Sequence, residues 1–306
     1  MIQKLEMLIA LSKEEHFGRA AERVGVTQPT LSAGIRQLES QLGVKLVQRG
    51  SRYGGLTPEG QRALVWARQI VGDTRRLRDE MRASRRGLAG HLRIGVIPTA
   101  LTWASRLCTA FAAQHPNVHF SILSRSSAEI LRLMEGIEID AGISYLDNEP
   151  LGRVSTARLY RERYAMVCAQ NHPLADRPQI PWAEVAAQDL CLLTPDMQNR
   201  RIINRAFMEA GTSPTPRLEA NSTVVLMAQV AEAGRVTVLP ADLARFLGAG
   251  LPLCSIPIVR ADTAETAGSQ VEDGPMVGLI TPHQEPHTPV LQALLRVART
   301  VALPDD

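Results

Sequence analysis

The sequence predicts an α+β protein in which a helical N-terminal third precedes a longer, two-lobed α/β region. Three observations support this fold class. The chain has 306 residues, too many for one compact domain. Apolar residues recur at helical spacings up to about residue 86, and from Leu92 onward short apolar strands alternate with helices. That alternation predicts parallel sheets with helices on both faces.

Charge is distributed unevenly along the chain. Residues 1–90 carry 16 Lys and Arg against 9 Asp and Glu, whereas residues 91–306 carry 18 against 22. A basic segment at one end only is expected to meet a polyanion there, although a solvated helical surface would also account for it.

Composition and cysteine usage exclude several classes of protein. Apolar residues make up 45% of the chain and charged residues 21%, a globular balance. No run of 18 apolar residues predicts a membrane span, and the N-terminus does not resemble a signal peptide. The four cysteines are scattered without a CxxC motif, which argues against a disulfide framework. We therefore expect a protein of the reducing cytoplasm, without membrane partners.

Residues 17–42 predict two short helices joined by a tight turn. Gly25 can end the first helix because glycine adopts a positive φ without strain. Thr27 is a suitable N-cap for the second helix, and Pro29 is tolerated in its first turn. One buried face is then formed by Leu31, Ile35, Leu38 and Leu42. The segment is predicted to be a helix-turn-helix.

The opposite face of the second helix is expected to enter a DNA groove. Gln28, Ser32 and Arg36 follow at spacings of four, and such side chains can pair with base edges. Residues 45–56 predict a two-stranded wing whose arginines can reach the DNA backbone. The predicted DNA-binding residues are Thr27, Gln28, Pro29, Thr30, Ser32, Arg36, Arg49 and Arg52. An ordinary helical hairpin with polar residues outward is the alternative.

A long helix is predicted from Thr57-Pro58-Glu59 to about Arg86. Its apolar stripe consists of Leu64, Ala67, Val71, Thr74, Leu77 and Met81. Such a stripe needs a partner, so we expect a homodimer through this helix. The predicted domains are residues 1–57, a linker helix and hinge at 58–90, and a regulatory domain at 91–306. Within the last, lobe I takes about 91–160 and 266–306, lobe II takes about 161–265, and residues 261–275 are expected to be mobile.

Several ordered motifs resemble the LysR-type transcriptional regulator family. They are FGRAAERVGVTQPTLSAGIRQLE at residues 17–39, LGVKL at 42–46, Arg49, LTPEG at 56–60, and in the second lobe Asn221-Ser222, Ala233-Gly234 and Val238-Leu239-Pro240. Two positions depart from the family pattern: Ala33-Gly34 stand where Arg-Gln is common, and Val47 where Phe is usual.

The resemblance implies a winged helix-turn-helix, a linker helix and an effector domain similar to periplasmic solute-binding proteins. It implies a sequence-specific regulator that binds double-stranded DNA and a small-molecule effector, forms homotetramers, has no enzymatic activity and needs no cofactor. A stand-alone solute-binding or transport component and a small-molecule enzyme are the alternatives. The basic N-terminal third counts against the first, and no nucleophile–base constellation supports the second.

The effector is expected at the carboxyl ends of the strands, between the two lobes. Short hydroxyl side chains stand there at predicted helix starts and suit a small carboxylate. The candidate residues are Thr99, Leu101, Thr102, Ser126, Ser127, Tyr145 and Met197. Thr99 and Ser126 fall where the resemblance places effector contacts, although each hydroxyl could equally be an N-cap without a ligand. No metal site is predicted, because prolines interrupt the two closely spaced histidine pairs.

Overall fold

The computed structural model describes residues 1–48, 53–86, 88–260, 274–283 and 287–301. Arg49, Arg52 and nearly all of the segment 261–275 lie outside the described residues. The chain divides into two compact units, Met1–Gly87 and Leu88–Asp306.

The first unit contains the predicted helix-turn-helix. Its helices are α1 (Ile2–Glu14), α2 (Phe17–Val24), α3 (Gln28–Leu42) and α4 (Pro58–Arg86). The turn between α2 and α3 begins at Gly25, whose φ of 70° lies in the left-handed region. Leu31, Ile35 and Leu38 are buried against α1 and α2, as the helical spacing predicts.

Gly34 explains one departure from the family pattern. It is buried in the middle of α3, where a glycine ordinarily weakens a helix. A Cβ at this position would lie 2.3 Å from Sδ of Met7, which is itself buried on α1. The absence of a side chain therefore allows α1 to approach α3 closely, with Met7 filling the space.

The wing is fastened to α3 by a buried carboxylate. Oε1 of Glu39 accepts hydrogen bonds from the backbone N–H groups of Leu46 at 2.9 Å and Val47 at 3.4 Å, and Oε2 contacts Nζ of Lys45 at 3.3 Å. Burial alone would raise the pKa of Glu39, but these three donors lower it below its ordinary value. Val47 then pairs with Leu56 in a single antiparallel bridge.

The start of α4 packs directly on this wing. The Thr57 hydroxyl accepts a hydrogen bond from the Gly60 N–H at 2.9 Å and donates one to the Lys45 carbonyl at 2.6 Å. A Cβ on Gly60 would lie 2.0 Å from the Leu46 carbonyl oxygen, so only glycine permits this contact. The LTPEG motif therefore both caps α4 and packs its first turn against the wing.

The apolar stripe predicted along α4 is buried in its first half and exposed in its second. Ala67 and Val71 are buried in the core of the first unit, so they do not form a free dimerisation surface. Leu77 and Met81 of the predicted stripe are exposed, as are the large apolar side chains Val65, Trp66 and Ile70.

The second unit consists of two lobes joined by two chain crossings. The first lobe begins with β1 (Ala89–Val96), α5 (Leu101–Gln114), β2 (Asn117–Ser124), α6 (Ser127–Glu135), β3 (Ala141–Tyr145) and β4 (Val154–Arg161). The second lobe contains β5 (Tyr164–Ala169), β6 (Ile180–Pro181), α7 (Trp182–Ala186), β7 (Cys191–Leu193), α8 (Gln198–Glu209), β8 (Leu218–Ala220), α9 (Thr223–Ala233), β9 (Thr237–Pro240), α10 (Ala241–Gly248) and β10 (Leu253–Val259). The chain returns to the first lobe through β11 (Met276–Pro282) and α11 (Pro289–Val301).

The predicted parallel pairing is confirmed for β1 with β2 and β3, whereas other strands of both sheets pair antiparallel. The first-lobe sheet has the order β2-β1-β3-β11-β4, in which β11 runs antiparallel to both β3 and β4. In the second lobe the order is β6-β10-β5-β9, with β5 antiparallel to both of its neighbours. Both strands lie where the chain changes lobes: β11 brings it back to the first lobe, and β5 brings it into the second.

We expect Glu39→Gln to destabilise the helix-turn-helix unit by about 1.5–3 kcal/mol, because charge-assisted hydrogen bonds to two buried N–H groups are weakened. Hydrogen exchange of the α3 amides measures this loss. Because the pKa of Glu39 is lowered in the fold, the stabilisation should be complete near neutral pH and should disappear as acid protonates the carboxylate. Gln37→Ala, at an exposed position of the same helix, is the control and should change little. Equal protection of α3 in both variants would contradict this role of Glu39.

Candidate DNA-binding surface and interlobe site

The start of α3 forms an exposed polar surface. The Thr27 hydroxyl accepts a hydrogen bond from the Thr30 N–H at 3.4 Å and lies 2.8 Å from the Thr30 hydroxyl, so Thr27 is an N-cap. Gln28, Pro29 and Thr30 are all exposed. These residues leave a helix N-terminus open to solvent, which suits a phosphate contact as well as a base contact.

Arg36 is the exposed cation in the middle of this helix. Its Nε donates to the Ser32 carbonyl at 3.3 Å, so the guanidinium lies along the helix surface. Ser32 is half-buried. Its neighbours on the helix that are exposed to solvent are Ala33, Gln37 and Ser40. The structure therefore leaves Gln28, Thr30 and Arg36 exposed on α3 and Ser32 partly buried.

A buried hydrogen-bond cluster joins the two lobes of the second unit. We call it the interlobe cluster; its members are Thr99, Tyr145, Glu162, Tyr164 and Asn199. The Tyr145 hydroxyl donates to Oε2 of Glu162 at 2.8 Å, and the Tyr164 hydroxyl donates to the same oxygen at 3.0 Å. Nδ2 of Asn199 donates to both tyrosine oxygens, at 2.9 Å and 3.2 Å, and the Thr99 hydroxyl lies 3.2 Å from that of Tyr145.

The interlobe cluster combines elements from both lobes. Thr99 and Tyr145 belong to the first lobe, where they follow β1 and end β3. Tyr164 and Asn199 belong to the second lobe, at the start of β5 and of α8. Glu162 lies between the lobes and is 1% exposed. Burial raises its pKa to about 7, although hydrogen bonds from Tyr145 and Tyr164 oppose that effect.

Of the predicted effector residues, Thr99 and Tyr145 are members of the interlobe cluster and are almost completely buried. Sequence reasoning missed Glu162 and Asn199. A lone acid between two apolar strands was the available signal for Glu162, but only the tertiary contacts show that both lobes contribute hydrogen bonds around it.

Ser126 and Ser127 have different roles at the start of α6. Ser126 is an N-cap: its hydroxyl accepts from the Glu129 N–H at 3.3 Å, and its own N–H donates to Oε2 of Glu129 at 3.1 Å. The Ser127 hydroxyl is buried and has no hydrogen-bond partner among the described residues. At the start of α8, the same holds for Nε2 of Gln198 and Oγ1 of Thr194.

The other predicted effector residues border these positions. Leu101 and Thr102 are half-buried in the first turn of α5, and Met197 is buried in the core of the second lobe. Nearby, Arg201 of α8 forms a two-pronged ion pair with Glu149 of the first lobe, with N–O distances of 2.7 Å and 2.9 Å. Sequence reasoning also missed this second link between the lobes.

Three of the four cysteines are buried. Burial raises the pKa of Cys108, Cys168 and Cys191 to about 11, which leaves very little thiolate at neutral pH. Within the described ranges there is no cluster of three or more potential metal ligands. The part of the chain that the structure describes also contains no helix long and apolar enough to cross a membrane.

Known proteins share both the sequence and the fold of this chain. The HTH-type transcriptional regulator XapR of Escherichia coli K12 is 28% identical over 239 residues, which cover 78% of this chain and 81% of XapR. A hydrogen peroxide-inducible genes activator of Escherichia coli O157:H7 is 29% identical over 241 residues, covering 78% and 79%.

Two solved structures show the same fold. A full-length OxyR variant from Pseudomonas aeruginosa superposes with a TM-score of 0.74 at 24% identity, with 99% of each chain covered. CbnR, a LysR family transcriptional regulator, gives a TM-score of 0.67 at 20% identity and covers 99% of this chain and 100% of its own. CbnR has also been solved in complex with its target DNA.

Two family models divide the chain as its fold does. Residues 2–61 match the bacterial regulatory helix-turn-helix protein, lysR family, and residues 85–303 match the LysR substrate binding domain. The second match alone spans more than two thirds of the sequence. The chain therefore belongs to the LysR family of DNA-binding transcriptional regulators with an effector-binding domain.

Proposed function

We propose that α3 reads the operator through Gln28, Thr30 and Arg36, and that the region of the interlobe cluster binds a small anionic effector. The chain carries out no catalysis in this proposal and acts in the cytoplasm, where its DNA partner is found. Arg49 and Arg52 remain proposed backbone contacts on the wing. The proposed division into residues 1–57, 58–90 and 91–306 also stands, with α4 as the linker.

The observation that supports a reading role for α3 is the exposure of its polar start together with Arg36. The guanidinium can pair with guanine or a phosphate, and the Gln28 amide can pair with adenine. Because the buried face of α3 is fixed by Leu31, Ile35 and Leu38, its polar face is held in one orientation.

We expect Arg36→Ala and Gln28→Ala each to weaken operator binding by about 1–3 kcal/mol and to relax specificity at one position of each half-site. The operator can be obtained by selecting bound duplexes from a random pool with the wild-type chain. The affinity of each variant for the operator measures the loss of binding. Repeating the selection with each variant shows whether the selected sequence has changed. Gln37→Ala is the control on the same helix. An unchanged selected sequence and affinity for Arg36→Ala would remove that residue from the reading surface.

We propose that the exposed apolar side of α4 forms the dimer contact. Trp66, Leu77 and Met81 are each more than half exposed, which is unusual for large apolar side chains on one helix. Association of two such helices would present two copies of α3 to two half-sites. The homotetramer would then require further contacts between regulatory domains.

The dimer proposal predicts different results at exposed and buried positions of α4. Trp66→Glu and Leu77→Glu should lower the mass found by sedimentation at micromolar concentration while leaving the monomer folded, because they place charge in the contact. Val71→Glu should instead unfold the first unit, because Val71 belongs to its core. A wild-type chain that sediments as a monomer would contradict the proposal.

Buried hydrogen-bonding groups without partners support the effector proposal. Ser127 and Gln198 stand at the starts of α6 and α8, where free N–H groups favour negative charge. The basic side chains beside Gln198 are already paired, Arg200 with Glu219 and Arg201 with Glu149. Hydroxyl and amide donors would therefore hold the anion, with Thr99 and Tyr145 beside it and Leu101, Thr102 and Met197 around it. The high pKa of the thiols gives no support to oxidant sensing as an alternative.

Ser126 and Ser127 provide a matched test of the effector proposal. Calorimetry of the full chain against small carboxylates, phosphate and sulfate should identify a binder. Ser127→Ala and Gln198→Ala should each weaken its binding by about 1.5–3 kcal/mol, because a donor to an anion is lost. Ser126→Ala should cost about 0.5–2 kcal/mol of stability as a lost N-cap and leave affinity unchanged. Loss of affinity in Ser126→Ala alone, or no anion bound by the wild type, would contradict the proposed site.

A further inference from the structure

Glu162 stands where the chain crosses between the two lobes. It lies between the end of β4 at Arg161 and the start of β5 at Tyr164. Its N–H donates to the Pro275 carbonyl at 3.0 Å, which ties it to the residues that lead into β11. A Cβ on Gly274 would lie 1.9 Å from the Glu162 carbonyl oxygen, so the two crossings meet at a contact that only glycine allows.

The hydrogen bonds of Glu162 hold side chains of the two lobes together. One carboxyl oxygen, Oε2, accepts from Tyr145 of the first lobe and Tyr164 of the second. Asn199 closes the arrangement by donating to both hydroxyls. The other oxygen, Oε1, is buried and has no hydrogen-bond partner among the described residues. Ionisation of the carboxyl would therefore leave part of its charge without donors.

The groups that face Glu162 do not neutralise it. They are the hydroxyls of Tyr145, Tyr160 and Tyr164 from β3, β4 and β5, with Thr99 and Asn199 from the helix starts. Asp242 of α10 is a further acid in this region and acts on Tyr160.

Three basic side chains lie near this group, and the one that follows Glu162 in sequence, Arg163, is exposed to solvent. Arg161 donates to the Gly274 carbonyl, and Arg201 pairs with Glu149. Burial therefore dominates at Glu162, and the pKa of its carboxyl is raised to about 7.

We propose that Glu162 is a proton-operated latch between the two lobes of the regulatory domain. The neutral carboxyl is compatible with the closed interlobe cluster, in which the lobes exclude water. The carboxylate is stabilised by water, which can reach Glu162 only when the lobes move apart at the crossings. Loss of the proton therefore shifts the population from closed to open lobes.

The sign of the pH dependence follows from proton linkage. In an open domain Glu162 is hydrated and has an ordinary pKa, so the closed form holds one proton more over the range between the two pKa values. The ratio of open to closed molecules should rise up to about tenfold per pH unit from about pH 5 and level off above about pH 7. This latch does not depend on the nature of the effector, and it would act on the free regulator.

Distance measurements between the lobes of the full chain test the latch. An unnatural amino acid with a keto side chain can replace the exposed residues Ser105 and Met208, and a spin label is attached to each keto group. This chemistry leaves the four cysteines unmodified. Dilution with unlabelled chain restricts the signal to distances within one chain. In the wild type, the longer-distance population should grow between pH 5 and 7 and then remain constant. A distribution that does not change from pH 5 to 8 would overturn the proposal.

Three variants separate the latch from a merely structural contact. Glu162→Gln should keep the pH 5 distribution at every pH, because the amide cannot ionise. Tyr164→Phe removes a hydrogen-bond donor that lowers the pKa of Glu162. The pH above which the longer-distance population stays constant should therefore rise. Glu149→Gln breaks the other interlobe link and should change the distances while the pH profile remains. A wild-type profile in Glu162→Gln would overturn the proposal. If that variant does not fold, an unmoved profile in Tyr164→Phe would overturn it.

Discussion

Removing a carboxylate from water costs several kcal/mol unless other donors replace the solvent, and this constraint governs both units of the chain. In the first unit, Glu39 is surrounded by two backbone N–H groups and a lysine, so it remains ionised and fastens the wing to α3. In the second unit, Glu162 receives only tyrosine hydroxyls, so burial favours its neutral form. The same side chain thus gives a fixed joint in one unit and a titratable one in the other.

Close backbone contacts determine where these joints can form. Gly60 brings the start of α4 against the Leu46 carbonyl, next to the N–H groups that bind Glu39. Gly274 brings the return crossing against the Glu162 carbonyl. In both places a side chain would push apart two backbone segments that meet beside the carboxylate. Each glycine therefore allows the close backbone contact that lies next to the acid, even though the two residues are distant in sequence.

Local signals predicted the helix-turn-helix well. Gly25, Thr27 and the spacing from Leu31 to Leu38 define α2 and α3 within a few residues, because caps and periodicity are local properties. The antiparallel pairings of β11 and β5 were not predicted. Their directions depend on the route of the chain between lobes, which no local pattern encodes. For the same reason Thr99 and Tyr145 could be placed near the site, whereas Glu162 and Asn199 could not. The prediction that the whole apolar stripe of α4 is free for dimerisation was wrong for its first half, because that half packs against α1.

A shared fold does not determine which effector a regulator binds. XapR and the peroxide-inducible activator match this chain at 28% and 29% identity, yet their names indicate different roles. In the proposed effector site, a few side chains at helix starts and strand ends of the two lobes decide the chemistry. In this chain those side chains are hydroxyls, amides and one buried acid, while the thiols with raised pKa values lie in buried strand and helix positions. Such a set favours recognition by hydrogen bonding and makes the charge state of the cleft sensitive to protons. Closing the lobes around a small anion would bring negative charge toward Glu162, and the neutral carboxyl would then be favoured further. Effector and proton would thus stabilise the same closed arrangement of the lobes.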